Sequence, residues 1–80
     1  MKIERDIVSY DKTTENHVMD FLVEIDLNIL KRIFQSNEND PLLYECYEID
    51  REKAELMKKY ITFDFDFDHF DYYLQAYSIE

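Results

Sequence analysis

The chain has 80 residues, 19 of them acidic against 9 basic, for a formal net charge of −10. Without a single glycine it builds no Gly-rich phosphate loop or dinucleotide fingerprint. Without a Lys/Arg stripe it is ill suited to bind nucleic-acid phosphates or an anionic membrane directly. Seven tyrosines, six phenylalanines and a hydrophobic fraction of 46% supply enough apolar surface for one folded domain. Such a domain buries little more than ~60% of its unfolded surface, so its stability is limited. Cys46 is the single cysteine, so no intrachain disulfide forms, which fits a reducing, cytoplasmic setting. The charged opening Met1-Lys2-Ile3-Glu4-Arg5-Asp6 lacks an apolar run, so no signal peptide is expected there, and no stretch reaches the length of a membrane span.

In chain order, residues 2–10 read as a strand with mixed faces, and 11–16 as a polar turn. In 17–25, Met19, Phe21, Val23 and Ile25 share one side of a strand that should pair with the first as an antiparallel hairpin. Asp26 is an N-cap candidate for a helix over 27–35, with Leu27, Leu30 and Phe34 at helical spacing and Lys31 and Arg32 near its end. The run 36–41 is a loop, in which Pro41 turns Asp40 away from helical angles. With no glycine, positive φ should fall to Asp11, Asn16, Asn37, Asn39 or Asp40. A short strand is expected at 42–48, with Cys46 as a small buried hydrophobe. Asp50 then caps a helix over 51–60 whose stripe is Ala54, Met57 and Ile61. Strand character returns at 62–67 and 70–78, broken or bulged near His69. The order ββαβαβ predicts an α+β domain with two helices packed on one face of an antiparallel sheet.

The stretch from Phe63 to Asp68 alternates aromatic and aspartate strictly. Extended, it places Phe63, Phe65 and Phe67 on one side and Asp64, Asp66 and Asp68 on the other. A core-anchored aromatic side would then display a row of carboxylates that raise one another's pKa and attract a cationic partner. The same row also suits protection of an exposed strand edge. The candidate contact surface is Asp64, Asp66, Asp68 and Asp71 with Tyr72 and Tyr73, and a second is Glu38, Asp40, Glu45 and Glu48. Phe70 and Tyr72 should share one face of their strand and Tyr73 and Tyr77 the other, one pair buried.

The Asp64-x-Asp66-x-Asp68 spacing resembles the opening of a calcium loop. However, its sixth and twelfth positions are His69 and Gln75 rather than Gly and Glu, so no metal site is expected. His17 and His69 have no cysteine or second histidine at metal spacing. Ser9, Ser36 and Ser78 fall in no catalytic motif, so neither a catalytic residue nor a cofactor is expected.

Asp40-Pro41, Tyr44-Glu45-Cys46-Tyr47-Glu48-Ile49-Asp50, Phe67-Asp68 and Asp71-Tyr72-Tyr73-Leu74-Gln75-Ala76-Tyr77 together resemble small acidic bacterial proteins encoded beside polymorphic toxins. The immunity proteins of contact-dependent growth inhibition are the best-known examples. The resemblance implies a cytoplasmic protein that binds and neutralises one cognate basic toxin domain, typically a nuclease. Another expectation is an acidic nucleic-acid mimic that inhibits a different DNA- or RNA-binding protein, and a third is a small enzyme.

Overall fold

The computed structural model describes residues 2–35, 40 and 43–79, and of Lys2 the backbone alone. Strands β1 (Lys2–Asp11) and β2 (His17–Val23) form the hairpin, followed by α1 (Leu27–Phe34). Then come β3 (Tyr47–Ile49), α2 (Arg51–Met57) and β4 (Phe70–Ile79). The antiparallel sheet has the order β2-β1-β4-β3, so the first and last strands pair at its centre. This is the expected ββαβαβ arrangement, an α+β domain with both helices on one face.

Register fixes what each face carries. Ile7 pairs with Phe21 on one side and Leu74 on the other, and Ser9 pairs with Tyr72. These residues point toward the helices, where Ile7, Leu74, Ile49 and Tyr72 meet Leu30, Ile33, Phe34, Ala54 and Met57 in one core. Both helices start where an aspartate accepts from the first turn: Asp26 from the Asn28 N–H at 3.0 Å, Asp50 from the Lys53 N–H at 2.8 Å. Ionised caps suit these free N–H groups, and the Asp50 carboxyl is held below the usual range, mainly by the Lys53 N–H. The helices are shorter than expected: α1 ends at Phe34, and α2 ends at Met57, where residues 58–60 turn away.

The strand expected at 42–48 reduces to Tyr47–Ile49. The Asp40 carboxylate is 5% exposed and accepts from the N–H groups of Tyr44, at 2.8 Å, and Glu45, at 3.0 Å, and from the Tyr47 hydroxyl. Residues 43–46 therefore wrap around this carboxylate instead of joining the sheet. Burial opposes ionisation of Asp40, but donation from Tyr47, Glu45 and Tyr44 with the charge of Arg5 outweighs it and holds the carboxyl low. Donation to Asp40 in turn pushes the Tyr47 phenol up to about 12. Cys46, turned outward by this wrap, is exposed rather than buried, and partial desolvation raises its thiol. The rest of the loop expected at 36–41, with Glu38, Asn37 and Asn39, lies outside the described residues, as does Leu42.

Positive φ falls at Glu15 (63°), Gln35 (49°) and Leu43 (53°), not at Asp11, Asn16 or Asp40. Asp11 instead closes its turn with the side chain, accepting from Thr13 at 2.7 Å and Thr14 at 3.0 Å, and Glu15 takes the reversal. Gln35 ends α1, its N–H donating to the Lys31 carbonyl. Leu43 is buried, and a left-handed leucine costs about 1–3 kcal/mol. Core burial of its side chain and the Asp40 bonds beside it offset that cost.

Leu74 lies at the sheet centre, fully buried. Leu74→Ala should lower stability by about 2–5 kcal/mol, while Leu22→Ala on the exposed side of β2 should change it by about 0.5 kcal/mol or less. Urea denaturation of both variants checks the packing order.

Candidate partner-binding surface

The alternation from Phe63 to Asp68 is kept, but not as a strand. Residues 61–66 join no ladder, although their burial still alternates residue by residue, and 67–69 turn into β4. Phe63, Phe65 and Phe67 face inward and crowd the Tyr72 ring at 5.7, 4.9 and 5.3 Å between centroids, and Phe63 also meets Phe21 at 4.9 Å. Because these rings lie against the helix-side face of the sheet, the backbone carrying them is lifted out of the sheet plane and cannot pair. Asp64, Asp66 and Asp68 point outward, as alternation requires.

Their roles differ. Asp66 accepts from the Asp68 N–H at 3.2 Å and pairs with His69 Nδ1 at 2.8 Å, which closes the turn. Its carboxyl is lowered, foremost by His69, rather than raised by its neighbours as the row predicts. Asp68 lies 3.5 Å from Arg51, whose guanidinium also covers the Phe67 ring. Asp71 lies 3.7 Å from Lys12. All these pairs are exposed, a class that contributes about 0–1 kcal/mol. Tyr72 is not a contact residue: it is 3% exposed, and its hydroxyl accepts from the Asp66 N–H at 2.8 Å. It belongs to the core, as one of the expected aromatic pair. Asp40, of the second surface, is likewise buried, Glu45 is exposed in the bend beside it, and Glu48 is exposed on β3.

Asp71 and Tyr73 belong to a different surface, the sheet face away from the helices. The register pairs Tyr10 with Asp71, Val8 with Tyr73 and Asp20, Asp6 with Gln75, Glu4 with Tyr77, and Glu48 with Tyr73. Tyr10 meets Tyr73 edge-on at 5.8 Å, and Val8 beneath is 5% exposed although no helix covers it. The Tyr77 hydroxyl donates toward Glu4 and Asp6, each at 3.3 Å. Asp20 pairs with His17 Nε2 at 2.8 Å. Burial, with the charges of Asp20 and Glu4, raises the Asp6 carboxyl against the opposing Tyr77 bond. Burial raises the phenols of Tyr73, beside Asp71 and Glu48, and Tyr77, beside Asp6 and Glu4. Two shallow depressions of about 370 and 380 Å³ flank the tyrosines, one holding Asp71 and the other Asp6 and Asp20.

Sequence reasoning missed Glu4, Asp6, Tyr10 and Asp20. The signal was present as alternation in two distant segments, Glu4-x-Asp6-x-Val8-x-Tyr10 and Asp71-x-Tyr73-x-Gln75-x-Tyr77, which the central β1–β4 ladder brings together. Lys31, Arg32, Arg51, Lys53, Lys58 and Lys59, by contrast, all lie in or beside the helices.

An open antiparallel sheet backed by two helices, with acids and tyrosines on its uncovered side, defines a small α+β domain. The chain belongs to the DUF7683 family, described as a domain of unknown function, whose model matches residues 4–75. No curated protein matches it. Among the described residues, no group of three or more His, Cys, Asp or Glu is placed to hold a metal ion, and no helix is long and apolar enough to cross a membrane.

The raised carboxyl of Asp6 has a definite sign. A folded pKa above the unfolded value means that its stabilising contribution is complete at low pH and is lost as pH rises through the folded pKa. Asp6→Asn should therefore be more stable than the parent at neutral pH, the difference closing as pH falls below the ordinary aspartate range. Thermal melts across pH 3–7 test it, and a variant less stable at neutral pH would contradict it.

Proposed function

We propose that this chain is an immunity-type inhibitor: a small cytoplasmic protein that binds one cognate basic toxin domain, of nuclease type, and blocks it without catalysis. The observation that carries this reading is the gathering of acids around tyrosines on the one sheet face that the helices leave uncovered. Glu4, Asp6, Asp20, Glu48 and Asp71 surround Tyr10, Tyr73 and Tyr77 on one uncovered sheet face, while most cations sit on the helix side. A nuclease domain presents a cationic, phosphate-binding cleft, and an anionic face of this kind is complementary to it. Tyrosine supplies rigid contact area with a polar tip, the composition of binding hot spots. The resemblance of the C-terminal half to immunity proteins points the same way.

Long-range attraction brings the partner in, and the tyrosine ridge over Val8 supplies short-range contact. Asp64, on the outer side of the 61–66 segment, lines the depression beside β2 and extends the anionic field to that edge of the domain.

The combined variant Asp6→Asn, Asp20→Asn, Glu48→Gln and Asp71→Asn should keep its fold and lose about tenfold or more in affinity for the basic toxin domain encoded beside it. Glu52→Gln with Glu55→Gln, on the helix side, should change affinity by less than about twofold. Calorimetric titration distinguishes them. Equal affinities for the parent and the sheet-face variant would overturn the assignment.

A further inference from the structure

The edge of the sheet at β2 carries a more specific message, which rests on the inhibitor reading above and concerns how the partner engages. β2 is the outermost strand, and among the described residues no backbone hydrogen bond joins it to anything but β1. It runs from His17 to Val23, long enough to template another strand, whereas the opposite edge, β3, spans Tyr47 to Ile49 alone. Val18, Met19 and Leu22 along it are 47, 46 and 44% exposed, unusual apolar exposure for an edge that natural proteins protect. On its helix-side flank a depression of about 380 Å³ opens between Met19, Phe21 and Phe63, with Asp64 and Asp66 at its wall. On the other flank stands Asp20, beside Asp6.

We infer that β2 accepts an extended segment of the partner as a fifth, edge-paired strand in which basic and apolar residues alternate. Successive side chains of an added strand fall on opposite faces. Those on the open face would lie by Asp20 and Leu22, with Asp6 one strand further in, which fits arginine or lysine, whose apolar stem covers the leucine while its charged head reaches the acids. Those on the helix side would enter the depression by Met19 and Phe63, which fits an aliphatic side chain, within reach of the Asp64 charge. The occupant is not a second copy of this chain. Antiparallel pairing of β2 with itself centres on Asp20 and sets that carboxylate against its own image, between two molecules each of net charge −10. No lysine or arginine occurs between Lys12 and Lys31 to relieve the repulsion.

Amide exchange on the full-length, isotope-labelled protein tests this directly. The probe is a capped octapeptide alternating arginine and valine, compared with a peptide of the same composition in two blocks. A third peptide has alternate backbone nitrogens methylated on the pairing edge. The alternating peptide should slow exchange of every other β2 amide by about tenfold or more, and the block and methylated peptides should not. No protection of β2 by the alternating peptide, or equal protection by all three, overturns the inference. The same measurement on the complex with the neighbouring toxin domain separates the two levels of the argument. Binding that leaves β2 exchanging as in the free protein overturns strand addition and leaves the inhibitor reading standing. Protection by the peptide with no binding of the toxin domain overturns the inhibitor reading and leaves the basic-strand edge.

Discussion

The Tyr72 ring joins the interior to two anionic surfaces, the outer side of the 63–68 segment and the acid–tyrosine face of the sheet. Phe63, Phe65, Phe67 and Phe70 all pack against it, at centroid distances between 4.9 and 6.4 Å, and its hydroxyl receives the Asp66 N–H. Each such aromatic pair contributes about 0.5–1.5 kcal/mol beyond simple burial. With the phenylalanines committed inward, Asp64, Asp66 and Asp68 have no direction left but outward. One step along β4 in either direction, Asp71 and Tyr73 emerge on the opposite face of the sheet. A single buried residue therefore fixes the segment that runs past β2 and the strand that displays the acid–tyrosine face.

The charge distribution that results is not the one stability alone would favour. Asp6 is raised by burial and by its acidic neighbours, and the tyrosines beside those acids are raised as well. Elsewhere the same fold uses carboxylates in the opposite sense: Asp11, Asp50 and Asp66 are lowered because backbone N–H groups, the lysine of α2 or His69 donate to them. Acids that close turns and helices are stabilised by their own chain. On the open face, Asp6 has Asp20 and Glu4 as charged neighbours and is raised despite its Tyr77 bond, an arrangement that a cationic partner would relieve. A local conflict of this kind, in a chain otherwise consistent with its fold, is where function is expected to reside.

Much of the fold was legible because it is written locally. Asp26 and Asp50 announce their helices, Phe21 and Val23 announce the core-facing side of β2, and the alternation of Phe70 and Tyr72 with Tyr73 and Tyr77 announces two faces of β4 without saying which is buried. What was not legible depends on partners far apart in sequence or on one side chain overriding a pattern. Residues 43–46 carry strand propensity, but the Asp40 carboxylate gathers their N–H groups first. Residues 62–67 alternate as a strand should, yet three adjacent phenyl rings need the depth of the helix layer and draw the backbone out of the sheet. Leu43 takes a left-handed conformation that asparagine would adopt more easily, because its side chain is wanted in the core. The acid–tyrosine face was hidden because β1 and β4 each contribute half of it, and local periodicity does not reveal which strands will be neighbours. Tyr72 was assigned to the wrong side of that division: it lies beside surface residues in sequence and beneath them in space.

The central claim is that the uncovered sheet face acts through its charge. The kinetics of association between the unaltered protein and the basic toxin domain proposed as its partner, followed from about 0.05 to about 0.5 M salt, test this most directly. Electrostatic steering requires the association rate to fall by about tenfold or more over that range while dissociation changes little. An association rate that does not respond to salt would contradict the account.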